Sequence, residues 1–360
     1  MSRSSPIRLS DMTPPPGIRK PEPLMLRTAL ECAETLPKSD WLLPPYLERN
    51  ATGLVYGDFG TYKSFLVLDW SLRVAIGIPA IGANYYRDGE PVVFISAEGR
   101  GLAKRLRAWC LHEYSSQGWQ DILKKARLHI LERAVNLSDP DSAAQLADAV
   151  AALGITPALV VIDTLSRNSG GEVEASTGEA TAYLAIIDQY LRSRFHCAVL
   201  MVHHVGHAEK GRIRGPIVLA ANTDCLIRVE RAAPPDPVIN VTVERLKDSD
   251  LPPPVSLRAV VVDLGELDED DRPITSRALE DNGEAVQVKR SPIGKHQQAL
   301  VAGLKEWQRN NPEKQYITGP DLVAVCKTQG IDRRRKGDVV VALEKAGYLA
   351  PAAGGHRVDL

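Results

Sequence analysis

Residues 57–65 read GDFGTYKSF, and three of them stand where phosphate chemistry needs them. A phosphate-binding loop follows the pattern G-x-x-x-x-G-K-[ST]. Its glycines let the backbone curl around an anion, its lysine reaches the β- and γ-phosphates, and its hydroxyl ligates Mg²⁺. Gly57, Lys63 and Ser64 fill these positions, and Gly60 gives the loop further freedom. Asp58, Phe59, Thr61 and Phe65 complete the stretch expected to line a nucleotide. Tyr62 occupies the place where the pattern has glycine. The loop is expected to fold if Tyr62 takes ordinary helical entry angles. Its ring then either stacks near the nucleotide or covers the loop. Taken alone, the stretch also fits a tight strand-to-helix turn with an incidental lysine.

Two carboxylates lie downstream at similar positions. The apolar run ALVVI ends in Asp163, and PVVFISAE ends in Glu98. Carboxylates at neighbouring strand tips beside a phosphate loop suit one metal holder, Asp163, and one general base for an attacking water, Glu98. A third run, AVLMVHH, ends in His203 and His204, where a polar side chain can sense the γ-phosphate. His207 follows, but no cysteine or suitably spaced acid completes a zinc site around these histidines.

Such residues need a scaffold of strand tips. From Trp41 to about Val262, runs rich in Val, Ile and Leu (TGLVYG, PVVFIS, ALVVID, AVLMVHH, DCLIRVE) alternate with helical patterns such as SFLVLDWSLRVAIG and DSAAQLADAVAALG. Consecutive apolar positions predict strands buried on both faces, and the alternation predicts βαβ units in a mostly parallel α/β sheet. VINVTVERLKD and VSLRAVVVDLG follow with little helix between them, which predicts an antiparallel extension at the sheet edge. Residues 1–40 are proline-rich and predict an extended arm with a short helix around 26–35. Residues 263–290, opening with the acidic DLGELDEDD, predict a linker. Residues 291–360 carry three helical patterns and a hairpin around Gly354–Gly355, the layout of a winged-helix domain.

Composition narrows the classes. Of 360 residues, 44% are hydrophobic and 25% charged, as in soluble globular chains. The net charge of −1 excludes a uniformly basic nucleic-acid coat. Five dispersed cysteines without a C-x-x-C pair argue against a disulfide framework and suit a reducing cytoplasm. No apolar run approaches the roughly 18 residues that would predict a membrane span.

The motifs, in this order, resemble the RecA-like AAA ATPases of the RepA type, the hexameric replicative helicases of plasmids and phages. The resemblance covers roughly Trp41 to Asp248. It implies a RecA-like P-loop NTPase core that uses ATP and Mg²⁺, assembles as a homo-oligomeric ring and grips single-stranded DNA. By position, Lys63 and Ser64 resemble the Walker A residues, Asp163 the Walker B aspartate, Glu98 the catalytic glutamate and His204 the sensor. Arg214 and Arg231 fall where family members place arginines that reach the neighbour's ATP site, and Lys247 is a further candidate for that role. The family's DNA-gripping loops correspond to SRNSGGEVEAST, which contains Arg167, and VGHAEKGRIRG, with Lys210, Arg212 and Arg214.

The C-terminal segment lies outside that resemblance. From Ser291 onward it holds eleven Lys/Arg against seven Asp/Glu. Arg333, Arg334, Arg335 and Lys336 begin its third helical pattern, where a recognition helix meets the major groove. Duplex DNA or a protein are the two partners this layout serves. The motor reading has rivals in a DNA-dependent ATPase of recombination or repair, a nucleotide-switched DNA-binding regulator, and an adaptor with a dead ATP site.

Overall fold

In the computed structural model, the described residues are 26–34, 39–81, 83, 88–97, 101–114, 118–171, 173–206, 213–231, 237–247, 249–283, 294–314, 316–345, 348–352 and 355–358. The chain divides into two compact units, 1–286 and 287–360. Among the described residues no helix is long and apolar enough to cross a membrane.

The first unit is built on a nine-stranded sheet. Its strands are β1 (Thr52–Gly57), β2 (Val92–Ser96), β3 (Leu128–Leu131), β4 (Leu159–Asp163), β5 (Ala198–His204), β6 (Cys225–Arg231), β7 (Val238–Leu246), β8 (Val255–Leu267) and β9 (Pro273–Asp281). The order across the sheet is β9-β8-β7-β6-β1-β5-β4-β2-β3. The six strands from β6 to β3 in that order are parallel. β7, β8 and β9 extend the β6 edge in antiparallel fashion. The fold is therefore α/β with a mostly parallel sheet.

Strands β1, β2 and β4 are buried at every position, which is why they read as unbroken apolar runs. Helices α1 (Lys63–Ile76) and α2 (Leu102–Tyr114) contribute Leu66, Leu72 and Trp109 to one core, together with Val55, Phe94 and Leu200 of the sheet. On the opposite face, α3 (Pro140–Ala152) and α4 (Thr177–Ile187) supply Leu146, Val150 and Tyr183 to a second core with Leu54, Ile95 and Ile162. Asp139 caps α3 through the backbone N–H groups of Asp141 and Ser142, and Pro140 fills its first turn.

Residues 263–281, predicted to belong to a linker, are sheet. β8 runs on to Leu267 and β9 pairs with it, placing Val261 opposite Arg277 and Asp263 opposite Thr275. The acidic stretch is the turn between them, where the Asp268 carboxylate accepts from the N–H groups of Asp270 and Arg272. Leu264, Ala278 and Leu279 point inward, while the outer face carries the charge that suggested a linker. Sequence reading also missed the edge strand β3 and the helix Trp119–Lys125.

Near the N-terminus, the short helix spans Ala29–Glu34, and none of its side chains is buried. Residues 1–25, 35–38 and 284–293 lie outside the described set.

The second unit holds α5 (Lys295–Asn310), α6 (Gly319–Thr328) and α7 (Arg333–Lys345), with a three-stranded antiparallel sheet of β10 (Tyr316–Thr318), β11 (Leu349–Ala352) and β12 (Gly355–Val358). Its core gathers Leu300, Leu304, Ile317, Leu322, Leu343 and Val358. A Cβ at Gly303 would stand 2.7 Å from Val325 Cγ1, so glycine lets α5 and α6 approach closely. The strand β10 was absent from the sequence-based layout.

Candidate functional site

The sheet order sets three predicted functional positions side by side. β1 lies next to β5, and β5 lies next to β4, so the tips carrying Gly57, His204 and Asp163 are consecutive along one edge. Gly57 stands opposite His204, and Ser96 opposite Asp163. Ligand sites in open α/β sheets form outside such carboxyl ends.

The loop from Gly57 to Lys63 is tightly drawn. A Cβ at Gly57 would come within 2.1 Å of the Val229 carbonyl oxygen, so only glycine lets β1 pass β6 here. The buried Lys63 ammonium donates to the carbonyl oxygens of Gly57 (2.9 Å) and Asp58 (2.7 Å) and to Thr61 Oγ1 (3.3 Å). Thr61 Oγ1 in turn donates to the Asp58 carbonyl at 2.8 Å. The lysine thus sits inside the curl of the loop, at the N-terminus of α1, where the helix dipole favours an anion.

Ser64 Oγ donates to Asp163 Oδ1 at 3.1 Å. A hydroxyl and a carboxylate brought together beside a buried ammonium form an oxygen donor set suited to Mg²⁺ next to a phosphate chain. On this geometry Lys63, Ser64 and Asp163 fit a Mg²⁺–nucleoside triphosphate.

Tyr62 does not enter the helix as expected. It adopts φ 58° and ψ 23°, the left-handed region, immediately before α1. Glycine adopts such a backbone freely, whereas the tyrosine side chain bears a cost on the order of 1–2 kcal/mol. Its ring meets Phe65 edge-on at 5.7 Å between centroids. Arg231 and Arg277 hold their guanidinium carbons 5.5 and 5.7 Å from the Tyr62 centroid, and Arg105 stands 4.7 Å from that of Phe65.

At the β5 tip, the His204 ring stacks on Phe59 with centroids 4.4 Å apart. Burial, with the charge of Lys63 adding to it, pushes the His204 pKa down to about 4. His203 is fully buried, and burial lowers its pKa also. Its Nε2 is 2.8 Å from the Arg214 carbonyl oxygen, whereas Nδ1 has no hydrogen-bond partner and lies 3.9 Å from Glu174 Oε1. Burial thus favours the neutral imidazole at both positions.

Arg214 is held within its own chain. Its Nε donates to Glu174 Oε2 at 2.8 Å, and Ser166 Oγ donates to Glu174 Oε1 at 2.7 Å. One carboxylate therefore ties the loop after β4 to the segment after β5. Arg167 is exposed on the first of these loops.

The remaining predicted residues are scattered. Arg231 ends β6 and stands over Tyr62 of the same chain. Lys247 follows β7 and lies 3.5 Å from Asp224 Oδ1, beside the start of β1, at the opposite end of the sheet from Lys63. It therefore does not join its own chain's loop. Glu98, Lys210 and Arg212 lie outside the described residues, as does His207. Among the described residues no cluster of three His, Cys, Asp or Glu side chains suits a metal ion. In the second unit, Arg333 to Lys336 do open α7. Arg334 and Arg335 are exposed, Lys336 is partly buried, and Arg335 Nη1 is 2.9 Å from His296 Nε2. Sequence reading missed Glu174, Arg277 and Arg105. No local pattern marks them, because each meets the site only through long-range packing.

A family model described as AAA domain matches residues 20–210, just over half of the chain. No curated protein matches it. Among solved structures, the crystal structure of the RadB recombinase is similar at 15% identity and a TM-score of 0.43, over 59% of this chain and 88% of that one. With its phosphate loop and metal-type carboxylate in place, this chain belongs to the AAA domain family of P-loop ATPases.

Proposed function

We propose that the protein is an ATP-hydrolysing motor on single-stranded DNA, a replicative helicase of the plasmid and phage type. The observation that carries ATP hydrolysis is the meeting of Lys63, Ser64 and Asp163, drawn from positions up to 100 residues apart.

Lys63 would neutralise the β- and γ-phosphates, and Ser64 and Asp163 would hold Mg²⁺. Bound Mg²⁺ supplies Lewis-acid stabilisation of charge on the phosphate oxygens. Glu98, two residues beyond the strand-end Ser96, takes the proton of the attacking water. His204, neutral and stacked on Phe59 of the loop, senses the γ-phosphate.

The motor part of the reading rests on the sequence resemblance and on one ion pair. Glu174 and Arg214, in the segments that follow the adjacent strands β4 and β5, are joined directly. That junction supports a shared DNA-gripping surface, with Lys210, Arg212 and Arg167 contacting phosphates. Arg214 serves as the residue that reaches the neighbouring site in a homo-oligomeric ring once released from Glu174. Arg231, beside its own loop, suits a role in cis, and any part played by Lys247 is on a neighbouring subunit. The C-terminal unit acts as a winged helix that brings the motor to duplex DNA through Arg333, Arg334, Arg335 and Lys336.

Strand displacement from a forked duplex in the presence of Mg²⁺ and ATP tests the reading. Displacement that fails with Lys63→Ala supports a helicase. DNA-stimulated hydrolysis without displacement leaves a DNA-dependent ATPase, and hydrolysis indifferent to DNA leaves a nucleotide-controlled switch.

A further inference from the structure

We propose that Arg277, together with Arg231, is a positioning residue for the phosphate loop and acts through the ring of Tyr62. The inference rests on the nucleotide-binding reading above and adds a component to it that lies outside the matched family region.

Three observations carry it. First, Tyr62 holds a left-handed backbone directly before Lys63. A side chain persists in that conformation only when its surroundings over-determine it. Second, two guanidinium groups from distant strands, Arg231 on β6 and Arg277 on β9, stand within cation–π range of that one ring. Third, Arg277 is itself anchored, since its Nη1 donates to the Ala259 carbonyl at 2.8 Å across the β8–β9 ribbon. Beyond Arg258, β8 passes the end of its pairing with β7, so this ribbon runs on past β7 at the edge that carries the phosphate loop. The ribbon thus offers a fixed arm, and the Tyr62 ring is the handle by which it holds the loop. This also accounts for a tyrosine at a place where glycine would relieve the backbone. Glycine keeps the loop's shape and loses the handle.

The test is a double-mutant cycle read by the affinity of a fluorescent ATP analogue with Mg²⁺. Arg277→Ala is compared with Arg277 in Tyr62, Tyr62→Phe and Tyr62→Gly backgrounds. The ring carries the contact, so Arg277→Ala should weaken binding roughly two- to five-fold with tyrosine or phenylalanine. It should have almost no effect with glycine. An equal loss in the glycine background overturns the proposal, because Arg277 would then act on the nucleotide directly or on the fold at large. No loss in any background overturns it too. If Arg277→Ala does not fold, Arg277→Gln keeps a donor for Ala259 and removes only the charge. If the wild type binds no nucleotide, the function proposed above fails, and amide exchange of residues 57–65 in the free protein decides this point separately. Faster exchange on Arg277→Ala supports the positioning role, and unchanged exchange refutes it.

Discussion

The Ser64 hydroxyl donates to the Asp163 carboxylate at 3.1 Å, joining the first turn of α1 to the tip of β4 with all of β5 between their parent strands. In the proposed site Asp163 would help to hold Mg²⁺, so its loss weakens the metal site. Asp163→Asn is expected to raise the Mg²⁺ concentration for half-maximal ATP hydrolysis about 10- to 100-fold. Titrating Mg²⁺ at saturating ATP checks this, and an unchanged requirement would assign Asp163 to structure alone.

Glu174 holds Arg214 and accepts from Ser166, with Arg214 44% exposed and Glu174 13%. A partly solvated pair of this kind contributes only about 0.2–1 kcal/mol to folding. Glu174→Ala is therefore expected to leave the urea midpoint nearly in place while changing how single-stranded DNA stimulates ATP turnover. Stimulation identical to wild type would mean that the tie between the two loops has no part in the DNA response.

Burial lowers the His204 pKa to about 4, below the value near 6.5 of an unfolded histidine. Between those values the unfolded chain binds a proton that the folded chain refuses. Folding stability contributed by neutral His204 is thus complete above pH 6.5 and lost as pH falls toward 4. His204→Gln should flatten the fall in unfolding temperature across that window. A wild-type and variant profile of equal slope would show that His204 is not held neutral.

A buried ion pair stiffens the helix that follows the loop. Asp69 is 1% exposed and accepts from Arg73 Nε at 2.8 Å and from Trp109 Nε1 at 2.7 Å, and Arg73 also meets Glu113. Removing one member of such a pair strands the other in the core. Asp69→Ala is expected to cost about 3–5 kcal/mol in urea unfolding. A loss below about 1 kcal/mol would show that Arg73 finds water or another acid.

The parts of this site that were legible in the sequence are those set by residue type and close spacing. Gly57, Lys63 and Ser64 lie within one short loop, and Asp163 and His204 end unbroken apolar runs, which is the signature of a buried parallel strand. The Tyr62 angles were not legible, because a tyrosine letter carries no sign of φ when tertiary contacts impose it. β9 was misread for a related reason. Its outward side chains carry charge, its inward ones are few, and its pairing partner is β8 across an acidic turn, so local periodicity stayed weak. Glu174 and Arg277 meet the site only after β5, β8 and β9 are assembled.

The central claim is that the loop at residues 57–64 turns over ATP in response to DNA. The direct measurement is phosphate release from Mg²⁺–ATP with and without single-stranded DNA, by wild type and by Lys63→Ala. The expected result is hydrolysis by the wild type, faster with DNA, and its loss on removing Lys63, whose ammonium occupies the curl of the loop. Absence of hydrolysis by the wild type in both conditions, or equal rates for the two proteins, would contradict it.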